Sequence, residues 1–360
     1  ITASHNPAEY NGMKVSRENA LPVGYDTGLG QIKEWIEAGR ECPVAEKRGE
    51  VHQIDVRKDY LPFLLKYKED WSGLKIAMDV SNGMASLFVH EIFGDEPAYI
   101  YDNMDGTFPN HEPNPLVPKN VVDLQKLVAA TKADIGIIFD GDADRVMFVD
   151  ENSRFISPDL MIAVLGHYFL EERGEKGYIH QDIRSSKAVG EYLAPMGGVM
   201  NTWRVGRAYA ALKLRELDGV YGGELAGHYY FRDFFYSDSG LLAAILIVNV
   251  AAKMKAQGVS LSQLIGRIEK YQNSGEINFR LEDKKGAMDA VRDYFMQKEK
   301  STAYMDFDGY RVEFPDWWFN IRPSNTEPYL RFICEATTKE LLDEKVAKVR
   351  EILTDQFGAK

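Results

Sequence analysis

The stretch Asp134-Ile135-Gly136-Ile137-Ile138-Phe139-Asp140-Gly141-Asp142-Ala143-Asp144-Arg145 decides the fold. A short apolar run that ends in an acidic loop reads as a buried strand whose C-terminal end carries chemistry. Before it, Val121 to Thr131 has helical spacing. After it, Val146 to Val149 is apolar again and Glu151-Asn152-Ser153 turns the chain. Further upstream, Leu74 to Val80 reads as a buried strand, followed by the Ser81-Asn82-Gly83 turn and a helix over Ala85 to Phe93. Downstream, Asp159 to Glu172 is expected to be helical, Tyr178 to Asp182 extended and Ala208 to Leu217 helical. A strand into Tyr221 then meets a Gly-rich loop, and Ser239 caps a long apolar helix. Strands alternating with helices predict an α/β architecture.

The last ninety or so residues change style. Glu276 to Leu281, Tyr304 to Phe307, Tyr310 to Phe314, Trp318 to Ile321 and Tyr329 to Glu335 read as strands. Asp308-Gly309 is a hairpin signal, and Thr337 to Glu340 a capping box that opens a final helix. The expected organisation is therefore several mixed α/β domains and a C-terminal α+β domain around a central cleft. The expected units are 1–53, 54–154, 155–269 and 270–360.

Composition narrows the function. The 360 residues are 45% hydrophobic and 27% charged, too apolar for a disordered chain. Leu241 to Ala252, the longest apolar stretch, falls well short of the roughly 20 residues of a membrane span. Forty-three Lys and Arg against 55 Asp and Glu leave a net charge of −12, with no basic stripe for a phosphate backbone. Neither nucleic acid nor membrane is an expected partner, whereas a few placed arginines suffice for a small anion. Two distant cysteines, Cys42 and Cys334, exclude a disulfide scaffold and fit a reducing, cytoplasmic setting.

Four loops carry candidate chemistry. In Asp140-Gly141-Asp142-Ala143-Asp144 a period near two points the three carboxylates one way, toward a hard divalent cation; the plain alternative is a solvated acidic turn. An EF-hand is rejected, since Arg145 stands where that loop needs Gly and strands flank it. An aspartate-nucleophile phosphatase of haloacid-dehalogenase type, with Asp140 as nucleophile, stays open. Thr2-Ala3-Ser4-His5-Asn6-Pro7, with Tyr10 to Lys14 behind it, is good turn chemistry when taken alone. Gly222-Gly223-Glu224-Leu225-Ala226-Gly227-His228 holds one acid and one His within a Gly-rich loop. Arg322-Pro323-Ser324-Asn325-Thr326-Glu327-Pro328 joins two strands and makes an anion nest or a simple Pro-bounded turn.

Together and in this order, the four loops resemble those of the α-D-phosphohexomutase superfamily over essentially the whole chain. T-A-S-H-N-P resembles its phosphoserine loop, D-G-D-A-D-R its magnesium loop, G-G-E-L-A-G-H its sugar loop and R-P-S-N-T-E-P its phosphate loop. Phe108 to Pro115 is similar to the family's segment ahead of the metal loop. The resemblance implies an enzyme that interconverts hexose 1-phosphate and hexose 6-phosphate through a phosphoserine and a hexose 1,6-bisphosphate. It implies Ser4 as carrier, and Mg²⁺ held by Asp140, Asp142, Asp144 and a Ser4 phosphoryl oxygen. Arg145 would offset phosphoryl charge, with Lys14 and His228 as candidates for proton transfer. Glu224 would grip sugar hydroxyls, and Arg322, Ser324, Asn325 and Thr326 the phosphate that is not transferred. Arg204 and Arg207 stand in a loop that usually reads Lys-Thr-Gly-His, and are expected to contact phosphate or select the sugar.

Some positions depart from the family pattern. Ala226 replaces a common Ser, and Ala143 a common Gly, a mild change if its φ is negative. Asn325 and the Tyr229 to Gly240 segment favour the bacterial phosphomannomutase and phosphoglucomutase branch, with mannose phosphates first and glucose phosphates second. Ser4 also lies four residues from Ile1, whereas the family's serine loop follows a strand inside a complete domain. The first domain is therefore expected to be truncated, and the chain to be catalytically impaired, in the limit a sugar-phosphate binder. The expected partner is a small sugar phosphate, and the expected assembly a monomer or homodimer.

Overall fold

The computed structural model describes residues 1–324 and 328–359. Residues 1–56 hold one α-helix, Leu29–Glu37, and two 3₁₀ turns, with no sheet strand among them. The first sheet contains β1 (Ile76–Asp79), β2 (Ala98–Ile100), β3 (Ile135–Phe139), β4 (Val146–Asp150) and β5 (Phe155–Ile156), in the order β2-β1-β3-β4-β5. β1 is parallel to β2 and β3, and β4 turns back antiparallel. Every residue of β1, β3 and β4 is buried, as a strand covered on both faces requires. Helix Val122–Thr131 covers one face through Leu124 and Val128.

The second sheet runs β10-β9-β8-β6-β7. Its strands are β6 (Gly177–Asp182), β7 (Gly198–Trp203), β8 (Tyr221–Gly223), β9 (Tyr229–Phe231) and β10 (Ser237–Asp238). The apolar helix Gly240–Ala256, capped by Ser239 through Leu242 N, shares one hydrophobic core with residues of both sheets. Its Asn249 is buried but satisfied: Oδ1 accepts from Trp71 Nε1 and Glu69 N, and Nδ2 donates to the Tyr67 carbonyl. No single helix among the described residues is long and apolar enough to cross a membrane.

The third sheet is antiparallel: β11 (Gln272–Asn273), β12 (Ile277–Arg280), β13 (Ala303–Met305), β14 (Tyr310–Glu313), β15 (Trp317–Pro323) and β16 (Tyr329–Ala336). Alternation along β15 sorts its faces. Trp317, Phe319 and Ile321 enter the core with helices Lys284–Lys298 and Lys339–Phe357. The buried Trp318, Asn320 and Arg322 take the opposite face, toward the second sheet.

Local expectations shift where tertiary contacts intervene. The helix expected over Ala85 to Phe93 is split into a 3₁₀ turn, Met84–Leu87, and a short helix, Val89–Phe93, because Met84 N is drawn to the Gly141 carbonyl. The helix expected over Asp159 to Glu172 is α-helical over Pro158–Gly166 and widens to a π-helix at His167–Glu172. The final helix is capped by Thr338, whose Oγ1 accepts from Leu341 N. Thr337 is not the cap, since its N–H is taken by the Asp316 carbonyl.

The second and third sheets meet across a polar seam. Glu335 is buried there, accepting from Ser186 Oγ, Trp318 Nε1 and Asn273 Nδ2. Burial, aided by the Asp159 carboxylate, pushes Glu335 from 4.5 up to about 7. The folded chain therefore holds this proton to higher pH than the unfolded chain. Its contribution is full below about 4.5 and is lost as pH rises through about 7. A shift of this size is worth on the order of 3 kcal/mol. Urea midpoints of wild type should fall between about pH 5 and about pH 8, and Glu335→Gln should remove most of that slope; equal slopes in the two proteins would refute the assignment.

Candidate active site

The serine loop rests on the acidic loop that follows β3. Thr2 Oγ1 donates to Asp142 Oδ2 at 2.9 Å, and Ser4 N donates to Thr2 Oγ1 at 2.8 Å. A side chain at Gly141 would strike the Ser4 carbonyl, so only glycine allows the approach. Ser4 itself has φ +57, a left-handed conformation that costs a serine about 1 kcal/mol and persists because its neighbours hold it. His5 Nδ1 lies 3.2 Å from Ser4 Oγ. Burial, with the positive charges of Arg145 and His228 nearby, lowers His5 to about 4 and leaves a neutral ring beside the hydroxyl.

The three aspartates converge, though not as alternate residues of a strand. Residues 141–144 form a turn in which Ala143 has φ +61. The Gly-to-Ala departure thus falls on a left-handed position, which overturns the mild reading that a negative φ would have allowed. Oxygens of Asp140, Asp142 and Asp144 lie within 4.8 Å of one another. Asp140 is fully buried and accepts from Arg145 Nε at 2.8 Å and Arg145 N at 3.2 Å. Burial raises the Asp140 carboxyl, Arg145 pulls it back, and Asp144 and Asp142 push it up again. Lys14 Nζ bridges Asp142 Oδ2, at 2.6 Å, and Asp144 Oδ2. Burial alone would lower the Lys14 pKa, but Asp144 and Asp142 outweigh it and hold the ammonium above its usual range. One buried oxygen on each of Asp142 and Asp144 has no hydrogen-bond partner among the described residues, that of Asp144 lying 3.8 Å from His228 Nδ1. An all-carboxylate donor set with vacant lone pairs fits a hard divalent cation. An ion on these oxygens would take over the charge compensation that Lys14 supplies.

The sugar-type loop is stitched to the acidic loop by backbone. Arg145 and His228 pair as an antiparallel bridge, and Val146 N donates to the Gly227 carbonyl. His228 Nδ1 lies 2.8 Å from Asp238 Oδ2, and Arg207 Nε donates to Asp238 Oδ1 at 2.7 Å. Burial lowers His228, but Asp144 and Asp238 more than offset it and leave the imidazole up at about 9, a proton donor at neutral pH. Glu224 is buried, with Oε1 accepting from Gly206 N at 2.6 Å and Oε2 from Tyr230 OH at 2.8 Å. A carboxylate has about four acceptor sites, so each oxygen keeps one for a ligand. Arg204 turns away from this cluster, stacking on Tyr209 at 3.9 Å with Asp26 at 3.7 Å.

At the far end, Arg322 is buried with its Nε unpartnered among the described residues and its Nη2 4.0 Å from Glu276. Arg184 stands beside it, bidentate on Asp182, whose Oδ2 also receives Leu225 N of the sugar-type loop. Burial, then Arg184, lowers the Arg322 pKa, which marks two guanidinium groups sharing one region. Ser324 N bonds the Tyr329 carbonyl; Asn325 and Thr326 lie outside the described residues.

Sequence reading missed His5, Asp238, Arg184 and Asp182. Asp238 was hidden by its neighbour Ser239, which reads as a helix cap. Arg184 had a usable signal, an acid and an arginine two apart at the end of a buried strand.

Four family models describe the chain: phosphoglucomutase/phosphomannomutase alpha/beta/alpha domain I over residues 1–41, domain II over 58–153, domain III over 157–271 and the C-terminal domain over 276–352. A phosphomannomutase of Salmonella montevideo is 37% identical, the match covering 95% of this chain and 78% of the relative. One of Methanocaldococcus jannaschii is 34% identical, covering 98% and 78%. A crystal structure of a phosphoglucomutase/phosphomannomutase family protein from Burkholderia thailandensis superposes with TM-score 0.83 at 28% identity, covering 98% of this chain and 75% of that one. At 14% identity and TM-score 0.61, over 83% of this chain and 66% of that one, Aspergillus fumigatus N-acetylphosphoglucosamine mutase in complex with GlcNAc-6P and magnesium shares the fold. The aspartate-nucleophile phosphatase reading finds no support here, and Asp140, locked by Arg145 in full burial, is poorly placed to attack. With all four domain models matched in order, the chain belongs to the phosphoglucomutase/phosphomannomutase family.

Proposed function

We propose that this chain interconverts hexose 1-phosphate and hexose 6-phosphate, with mannose phosphates preferred over glucose phosphates. The observation that carries the reading is the joining of three loops: the Ser4 loop lies on the acidic loop, and a backbone bridge ties that loop to the one bearing Glu224 and His228. Ser4 Oγ carries a phosphoryl group and passes it to the free hydroxyl of the bound sugar, breaking the Ser4 O–P bond and forming a sugar O–P bond. The resulting hexose 1,6-bisphosphate returns its other phosphoryl to Ser4. Asp140, Asp142, Asp144 and an oxygen of phosphorylated Ser4 would hold Mg²⁺, which would supply positive charge to the transferring group.

The chain's own residues do the rest. Arg145, fixed by Asp140, has a buried Nη2 without a partner among the described residues and is a ready donor to a phosphoryl oxygen. His228, oriented by Asp238, and Lys14 are the candidates for proton transfer, moving the proton that leaves the attacking hydroxyl and the one that the departing oxygen takes up. Glu224 grips hydroxyls shared by both sugar orientations. Arg322, with Ser324, Asn325 and Thr326, holds the idle phosphate, and Arg207 adds charge beside His228. Arg204, stacked on Tyr209 near Asp26, is the further candidate to contact phosphate or select the sugar. The partner is a small sugar phosphate, the setting cytoplasmic, and the assembly a monomer or homodimer.

Conversion of mannose 1-phosphate and of glucose 1-phosphate, each with trace bisphosphate and Mg²⁺, tests the reading directly; no turnover of either would overturn it. Ser4→Ala should remove nearly all phosphoryl exchange and leave hexose-phosphate binding within a few-fold, since the hydroxyl acts in chemistry and not in ground-state affinity. Label from bisphosphate should appear on Ser4 in wild type. Asp142→Asn should weaken Mg²⁺ binding by calorimetry and slow transfer together, because a neutral amide compensates less charge; undiminished turnover in excess EDTA would contradict a metal site. Glu224→Gln should raise KM for 1-phosphate and 6-phosphate alike, and an effect on one alone would contradict a shared grip.

A further inference from the structure

Asp308 lies in the hairpin between β13 and β14, outside the four signature loops, yet its carboxylate reaches across to the second sheet. Its Oδ2 accepts from Val205 N at 2.8 Å, a contact spanning 103 residues. Beside it, Phe307 packs on Trp203 with ring centroids 4.8 Å apart. The next peptide N–H, that of Gly206, donates to Glu224 Oε1. Arg207, one residue further, holds Asp238, and Asp238 holds His228. Consecutive amides of one short loop are thus shared between the C-terminal hairpin and the sugar-type carboxylate.

The hairpin is also seated on Arg322. Gly309 has φ +68, and a side chain there would collide with the Ile321 carbonyl and the Arg322 Cβ. The negative charges of Asp308, Glu276 and Asp182 favour the charged form of Arg322. The hairpin therefore spans two parts of the site: Gly309 lies against Arg322, in the region that would hold one end of a sugar phosphate, and the Asp308 carboxylate holds the loop that fixes Glu224 at the other.

We propose that Asp308 is a positioning residue that couples the Arg322 side of the cleft to Glu224 through the Val205–Gly206 peptide, and so sets the affinity for sugar phosphates in both orientations. This rests on the mutase reading for the substrate but not for the loop contact. Truncating Asp308 frees the Val205 amide, and the loop loses the anchor that aims Gly206 N at Glu224. A hydrogen bond to a charged acceptor of this kind is worth about tenfold or more in an equilibrium.

The test compares Asp308→Ala with Asp308→Asn in the full chain. Asparagine keeps a carbonyl oxygen for Val205 N–H and loses the charge. Hydrogen–deuterium exchange at the 203–207 segment is read first, without substrate: it should quicken in Asp308→Ala and stay near wild type in Asp308→Asn. With mannose 1-phosphate and mannose 6-phosphate, KM should rise about tenfold for both in Asp308→Ala, with kcat within a few-fold, and Asp308→Asn should recover most of the loss. Were Asp308 only an offset to the Arg322 charge, both variants would behave alike and inorganic phosphate would bind each more tightly. That pattern overturns the proposal, as does unchanged exchange at 203–207 in Asp308→Ala. If wild type turns over no hexose phosphate, the mutase reading fails, and the exchange result alone decides whether Asp308 anchors the loop.

Discussion

The Asp140 carboxylate is fully buried, and one guanidinium, that of Arg145, meets it through the side chain. An unpaired buried charge would cost several kcal/mol, so this pair must stay intact for the loop after β3 to hold its shape. From it follow the turn through Gly141 to Asp144, the exposure of Asp142 and Asp144 to Lys14, and the direction in which Arg145 leaves its second nitrogen free. Because Arg145 also pairs by backbone with His228, the same ion pair sets the distance between the acidic loop and the sugar-type loop.

The cleft is electrically divided. Carboxylates crowd the Ser4 end, where a divalent cation would compete with Lys14 for the same oxygens. Arginines crowd the other end, where Arg322 and Arg184 raise each other's cost of charge and are relieved by Asp182 and Glu276. An anion entering there gains two donors without having to displace a carboxylate from Arg322 Nε. A substrate with a phosphate at one end and a hydroxyl at the other matches this division in either of two orientations, which is what interconversion of two phosphate positions requires.

Much of this arrangement was legible in the sequence because it rests on strong local signals. Mostly apolar runs marked β1, β3 and β4, and the four loops stood at strand ends with their charged residues in view. What stayed hidden depends on contacts between distant segments. Alternation suggested that the aspartates share one face of an extended segment, whereas a turn with Ala143 at positive φ brings them together, and spacing carries no record of φ. Thr338, not Thr337, caps the last helix, and the Thr337 amide is held instead by the Asp316 carbonyl of a distant turn. Asp238 stood unremarked beside the Ser239 cap, and Asp308 read as half of a hairpin signal. Neither local signal reveals the distant partners, Arg207 and His228 for Asp238 and Val205 for Asp308.

Ser4 and Ala143 are both left-handed, non-glycine residues, in two loops joined by the Thr2–Asp142 hydrogen bond. Each conformation costs about 1 kcal/mol in isolation and survives only while the surrounding contacts over-determine it. Those contacts are shared: Gly141 supports the Ser4 carbonyl from below and anchors Met84 N on its own carbonyl. The Ser4 hydroxyl therefore has no conformation independent of the acidic loop. A change that relaxes the carboxylates, whether loss of Lys14 or exchange of one aspartate, reaches Ser4 through Thr2 and Gly141 as a backbone displacement as well as a change in field. Phosphoryl transfer demands placement to within a fraction of an ångström. On that scale the charge arrangement and the geometry of the serine are one constraint, and substitutions in the acidic loop should not separate metal affinity from the rate of transfer.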